Sequence, residues 1–102
     1  MKFVILFEDN QNADPNIRKT YMPDHLTFLE RHADEILSAG PLTDSSENGH
    51  GGLWIAQAET VKDVEDLVQK DPFWPTGLRK SFKILKWKQV FDCGKRLINP
   101  QA

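Results

Sequence analysis

Five consecutive apolar residues near the N-terminus, Phe3-Val4-Ile5-Leu6-Phe7, constrain this chain more than any other segment. Short and rich in β-branched and aromatic side chains, the run reads as a strand from Lys2 to Glu8. Alternation sends Phe3, Ile5 and Phe7 to one face and Val4 and Leu6 to the other. Both faces are apolar, so both need cover. A chain of 102 residues makes one domain, and its single layer of helices covers only one face. A partner subunit is the economical cover for the second, so a homodimer is expected, with larger assemblies of dimers left open.

The rest of the chain falls into alternating segments. Asp9 to Pro15 is a polar loop. A helix is predicted to begin near Pro23, because proline suits the first helical position and Asp24 favours the positive dipole end. Leu26, Leu29, Ala33, Ile36 and Leu37 then follow at helical spacing. His25 lies about sixty degrees from the centre of that stripe, at the edge of the buried face. Ser38 to Leu42 suits a short strand, with Pro41 marking an edge or bulge. Asp44 to Gly52 reads as a loop and Leu53 to Ala58 as a strand. Thr60 and Asp63 resemble a capping box before a second helix carrying Val61, Val64, Leu67 and Val68. Asp71-Pro72 ends that helix, and a short turn through Thr76-Gly77 follows. The last strand is predicted over Phe82 to Phe91, with a bulge where the apolar phase slips between Ile84 and Leu85. The order β-α-β-β-α-β is the split pattern of ferredoxin-like α+β domains with an antiparallel sheet. One domain is expected over residues 1–98, with 99–102 as a tail.

Composition excludes several functions. Net charge is −2 with no block of like charge, which argues against nucleic acid as a partner. The longest apolar run is too short to cross a bilayer, and no signal-peptide pattern is present, so a cytoplasmic protein without membrane contact is expected. Cys93 is the only cysteine, which rules out an internal disulfide and a cysteine metal cage. The three histidines show no metal-ligand spacing, so neither a metal nor another cofactor is expected. Gly49, Gly51 and Gly52 lead into a strand rather than a helix, unlike a nucleotide-binding loop.

Several segments occur in a telling order: Asp24-His25-Leu26, Ala39-Gly40-Pro41-Leu42, Gly51-Gly52-Leu53-Trp54-Ile55 and Asp71-Pro72-Phe73. Gly77-Leu78-Arg79-Lys80-Ser81 and Trp87-Lys88-Gln89-Val90-Phe91 complete the series. Together, from Met1 to Ile98, they resemble the YCII-related (YciI-like) family. The resemblance implies a dimeric α/β barrel, in which two ferredoxin-like sheets face each other. It also implies an active site built on a His–Asp pair, here His25 and Asp71. Relatives of known activity include an enzyme that removes chloride from a hydroxyquinol-type ring. The chain departs from the pattern at Met22, where many members carry arginine; Arg18 stands farther back as a substitute.

The chemistry of the pair is plain. An imidazole, with an ordinary pKa near 6.5, accepts and returns a proton at cellular pH. A carboxylate on one ring nitrogen fixes its tautomer and stabilises the imidazolium. Proton abstraction beside a carbonyl, tautomerisation and elimination of a small leaving group all fit. The expected function is a small-molecule enzyme of lyase, dehydrochlorinase-like or isomerase type; the alternative is a non-catalytic ligand-binding or regulatory module. Asp71 has a structural use too, as the cap of a turn starting at Pro72. Phe73 and Trp74 could wall a pocket for a flat ring. Arg79 and Lys80 offer charge for a carboxylate or phenolate, or a solvated surface. His50, between glycines, is a further binding candidate, while His32 reads as a surface residue and Trp54 and Trp87 as core or interface.

Overall fold

The face of the first strand that carries Phe3, Ile5 and Phe7 is almost completely closed off from solvent. The computed structural model describes residues 1–46 and 49–100, without the His50 side chain. That first strand, β1 (Lys2–Asp9), is central in a four-stranded sheet. It is followed by α1 (Ile17–Arg31), β2 (Ile36–Thr43), β3 (Gly49–Gln57), α2 (Val61–Lys70), a 3₁₀ turn (Trp74–Thr76) and β4 (Arg79–Lys86). The strand order is β2-β3-β1-β4, and all three pairings are antiparallel. This is the ferredoxin-like α+β arrangement. Phe28 from α1 and Val64, Leu67 and Val68 from α2 pack with Trp54 and Ala56 over the inner face.

Three local details are as the sequence predicts. Pro41 lies in β2, an edge strand, where its missing N–H costs nothing to a second neighbour. The Thr60 hydroxyl accepts from the Asp63 amide at 3.2 Å and starts α2. Asp71, forced extended by the proline after it, stops α2.

Other details correct the sequence reading. Helix α1 begins more than a turn early, at Ile17, and Pro23 lies inside it. The extra turns are tethered from outside: Arg18 holds Asp9 at the end of β1 through contacts of 3.0 and 2.8 Å. The buried face also differs in phase. His25 and Phe28 are buried, Leu29 is half-buried, and Leu26 is 48% exposed. Ile36 and Leu37 belong to β2 rather than the helix.

The final strand ends at Lys86, not at Phe91. Its last bond runs from the Trp87 amide to the Lys2 carbonyl, where β1 begins, so no further residue of that strand remains to pair. The chain then forms a small separate hairpin, β5 (Phe91–Asp92) and β6 (Lys95–Arg96). Cys93 and Gly94 make its two-residue turn with φ of 51° and 78°, the positive values such a turn requires.

No bulge occurs at Ile84 and Leu85, which pair in register with Ile5 and Val4. The irregularity lies at the other end of β4, where the register shifts between Glu8 and Asp9. There Lys80 and Ser81 both reach the carboxylate of Glu8, at 3.6 and 3.3 Å. Two consecutive residues thus share the outer face, and Arg79 is turned inward.

Among glycines, Gly51 is the one this packing needs. A Cβ there would lie 1.7 Å from the Phe7 carbonyl oxygen, so no side chain fits between β3 and β1. Gly51→Ala is expected to part this pairing locally. Its melting temperature should fall by many degrees, whereas Gly40→Ala, with nothing within 4 Å of the new atom, should stay near wild type. A thermal melt of the two variants checks this.

Candidate active site

The site grows from the end of α2. Because Pro72 holds Asp71 extended, the carboxylate folds back over its own chain, and Oδ1 accepts from the Phe73 amide at 2.9 Å. The capping role expected for Asp71 is therefore present. The same oxygen lies 2.9 Å from Nδ1 of His25, which projects from the inner face of α1. The other oxygen, Oδ2, accepts from Nη1 of Arg79 at 2.9 Å. Three donors from three elements converge on a carboxylate whose side chain is wholly buried.

The electrostatics follow from this convergence. Burial by itself would push the Asp71 carboxyl up. The His25 hydrogen bond, the Arg79 charge and the Phe73 amide outweigh it and hold the carboxyl below its usual value. Asp71 is thus ionised and can only accept. In the neutral imidazole, Nδ1 must then carry the proton, and Nε2 keeps the lone pair. Nε2 has no hydrogen-bond partner among the described residues, and it is not among fully buried unsatisfied atoms.

Arg79 corrects the surface reading. Its side chain is only 7% exposed, and the guanidinium lies 3.9 Å from the centre of the Phe7 ring, stacked as well as ion-paired. Burial lowers its pKa, the neighbouring Asp71 charge opposes that, and it remains charged. Lys80, by contrast, is solvated beside Glu8.

His25, Phe73 and Arg79 border one cleft between α1 and the β2–β3 side of the sheet. Arg18, Met22 and Trp54 also line it, with Gly40 and Pro41 of β2 opposite. The Phe73 ring stands 4.5 Å from the imidazole. The cleft encloses about 120 Å³. An engineered apolar cavity of about 150 Å³ takes up benzene, so one six-membered ring is the scale of occupant.

The remaining candidates lie elsewhere. Trp74 is not among the cleft residues; it packs edge-on to Phe82 at 5.3 Å, against the core. His50 lies in β3, and its side chain is outside the described residues. His32 stacks on Phe28 and contacts Glu35. Trp54 is core, while Trp87 is partly exposed. Among the described residues, no three His, Cys, Asp or Glu side chains come together to hold a metal. No helix among them is long and apolar enough to cross a membrane.

Sequence reasoning left Arg79 open between site and surface and gave Arg18 no neighbours. Arg18, Met22, His25 and Leu29 follow at helical spacing along α1, and all four line the cleft. Extending the predicted helix upstream through Pro23 would have found that face.

A family model for the YCII-related domain matches residues 1–88. The chain belongs to the YCII-related family. The match ends before the β5–β6 hairpin. Among solved structures, this YCII-related protein is similar to TftG, the 5-chloro-2-hydroxyhydroquinone dehydrochlorinase of Burkholderia phenoliruptrix AC1100, in complex with 2,5-dihydroxybenzoquinone. Identity is 26% and the TM-score 0.72, over 86% of this chain and 94% of that one. At3g17210 of Arabidopsis thaliana is 11% identical with a TM-score of 0.47, over 89% and 96% of the two chains. No curated protein matches.

The carboxylate network predicts an acid-dependent stability. Asp71 has a lower pKa folded than unfolded, where aspartate titrates near about 3.9. Its contribution is complete above about pH 5 and is lost as pH falls through the folded value. Asp71→Asn strands Arg79 and is expected to cost about 3–5 kcal/mol at pH 7, the usual result of breaking a buried pair. Denaturant titrations should show the gap to wild type shrinking below about pH 4. A gap that widens on acidification would contradict the network.

Proposed function

We propose that this YCII-related protein is an acid/base enzyme of lyase type acting on a small, single-ring oxygenated substrate. The observation that supports it most is the geometry of His25: Nδ1 is bonded to a buried, ionised aspartate, His25 lines a ring-sized cleft, and Nε2 has no hydrogen-bond partner among the described residues. In this reading His25 Nε2 removes a proton, Asp71 holds the tautomer and supports the imidazolium, and Phe73 seats the ring. Arg79 orients Asp71 and keeps the network closed. Elimination suits the arrangement. In the keto tautomer of such a ring, where one hydroxyl proton has moved to the carbon bearing chlorine, a remaining hydroxyl gives its proton to Nε2, the ring double bonds shift, chloride leaves with the carbon–chlorine electron pair, and the ring is left as a hydroxyquinone. Isomerisation is the same first step with the proton returned at another carbon.

The dehydrochlorinase similarity supplies the first substrate to try. Purified protein would be incubated with 5-chloro-2-hydroxyhydroquinone under argon, and chloride followed with an ion-selective electrode. Release above the buffer rate is expected, with His25→Gln lowering it about a hundredfold or more, the contribution of a positioned base. His25→Gln is the cleaner variant, because Asp71→Asn also disturbs Arg79 and the Phe73 turn.

One observation favours a second reading. Arg79 already neutralises Asp71, which leaves that carboxylate less able to support an imidazolium than an unpaired one. A non-catalytic module holding a small ligand in the same cleft fits that charge balance. Binding of 2,5-dihydroxybenzoquinone without turnover of any chlorinated or keto substrate would select it.

The outer face of the sheet bears on assembly. Val4, Leu6 and Ile55 alternate away from the helices, and Leu85 beside Val4 is 41% exposed. We infer that a second copy of the chain covers this face. Sedimentation at micromolar concentration should give a homodimer, and Val4→Asp should shift it toward monomer. A wild-type monomer under those conditions would remove this inference without touching the His25 site.

A further inference from the structure

The cleft holds two arginines in different states, and the difference has a use. Arg79 and Asp71 are both buried, so parting them would leave charges in a low-dielectric interior. Arg18 and Asp9 are a half-exposed pair, with side chains 33% and 21% accessible, and such pairs contribute little. Arg18 is also under-used. Both of its contacts with Asp9 run through the one nitrogen Nη2, not through the two-pronged fork that a guanidinium offers a carboxylate. Nε and Nη1 have no partner among the described residues. The guanidinium carbon lies 6.0 Å from the centre of the Phe73 ring, whose neighbour 4.5 Å away is the imidazole of His25. An occupant touching Phe73 therefore lies within reach of both Arg18 and Nε2.

We propose that Arg18 is the anion anchor of the cleft, and that Asp9 is an internal stand-in which an incoming oxyanion displaces. The ligand class is a single-ring phenolate, enolate or carboxylate whose charge faces Arg18 while its reactive edge faces His25. The proposal deepens the reading of the cleft as a ligand site. Asp9 holds the arginine in place while the cleft is empty, and it competes with the ligand for it. Two roles for Arg18 then separate cleanly. If the pair merely tethers α1 to β1, removing either partner does the same harm. If Asp9 competes with the ligand, removing Asp9 helps binding and removing Arg18 hurts it.

Isothermal titration at pH 7 tests this with 2,5-dihydroxybenzoquinone, whose acidic hydroxyls are ionised there, and with hydroquinone, which is uncharged. Arg18→Gln is expected to weaken the anion roughly tenfold to a hundredfold, the effect of a lost charge-assisted hydrogen bond. Hydroquinone should change less than twofold. Asp9→Asn should tighten the anion severalfold, and Arg18→Lys should fall between wild type and Arg18→Gln. Melting temperatures of all three variants identify any that fail to fold; in that event Arg18→Lys and the salt dependence of wild-type binding carry the test. Equal weakening by Arg18→Gln and Asp9→Asn overturns the proposal in favour of a tether. If Arg18→Gln binds the anion like wild type while His25→Gln does not, the anchor is wrong and the site stands. No binding of the anion to wild type removes both.

Discussion

One buried carboxylate ties the candidate site of this molecule to its fold. Asp71 follows α2, yet its oxygens gather a ring nitrogen from α1, an amide from its own turn and a guanidinium from β4. An isolated carboxylate in that position would be protonated or expelled, because desolvation disfavours its charge. Each donor makes the others tolerable. The imidazole is held by a charge that the guanidinium keeps in place, and the guanidinium is held by that charge and the Phe7 ring beneath it. Stability and the proposed chemistry therefore share Asp71, and of the His25–Asp71 pair it is His25 that can be changed to question the chemistry alone.

Arg79 shapes what kind of chemistry this can be. An aspartate serving only a histidine gives its full charge to the imidazolium. Here that charge is divided, so an imidazolium formed in the cleft has a weaker counter-ion inside the protein. Proton transfer from a neutral ligand to Nε2 creates both ions at once, with the new ligand anion beside the imidazolium. In the proposed reaction the arginines that line the cleft would act on the developing negative charge in a site partly closed to water, where such fixed charges are effective. The arrangement favours substrates whose own anion supplies the charge that Asp71 shares away.

The parts of the fold legible in the sequence were those with local causes. The apolar β1 run, the Thr60 cap, the proline stop after Asp71 and the edge position of Pro41 each depend on a few neighbouring residues. The element order followed from them, while the family resemblance rested on the order of short segments such as Asp24-His25-Leu26 and Asp71-Pro72-Phe73. The misread parts depend on distant partners. Pro23 disfavours a helix through it, but the Arg18–Asp9 contact and the burial of Phe28 override that local preference. Val90 and Phe91 continue the strand pattern, yet β1 has no residues left to pair with them. The inward turn of Arg79 depends on a register shift against Glu8, which no periodicity in β4 reveals. Of the site, the partners His25 and Asp71 were legible from the family's order of segments, while the third partner needed the fold.

The misread helix start also bears on Met22, the position at which the family resemblance implies an arginine. On a helix beginning at Pro23, Met22 would lie outside it and Arg18 in a remote loop. On the observed α1, positions 18, 22 and 25 share the face that lines the cleft. A cation moved from position 22 to position 18 is displaced by about 6 Å along the axis, one turn, without leaving that face. An arginine side chain spans such a distance, and Asp9, at the end of β1, fixes where its head rests. Methionine then leaves an apolar, adaptable wall between Arg18 and His25, which in the proposed reading suits a flat ring better than a second charge would.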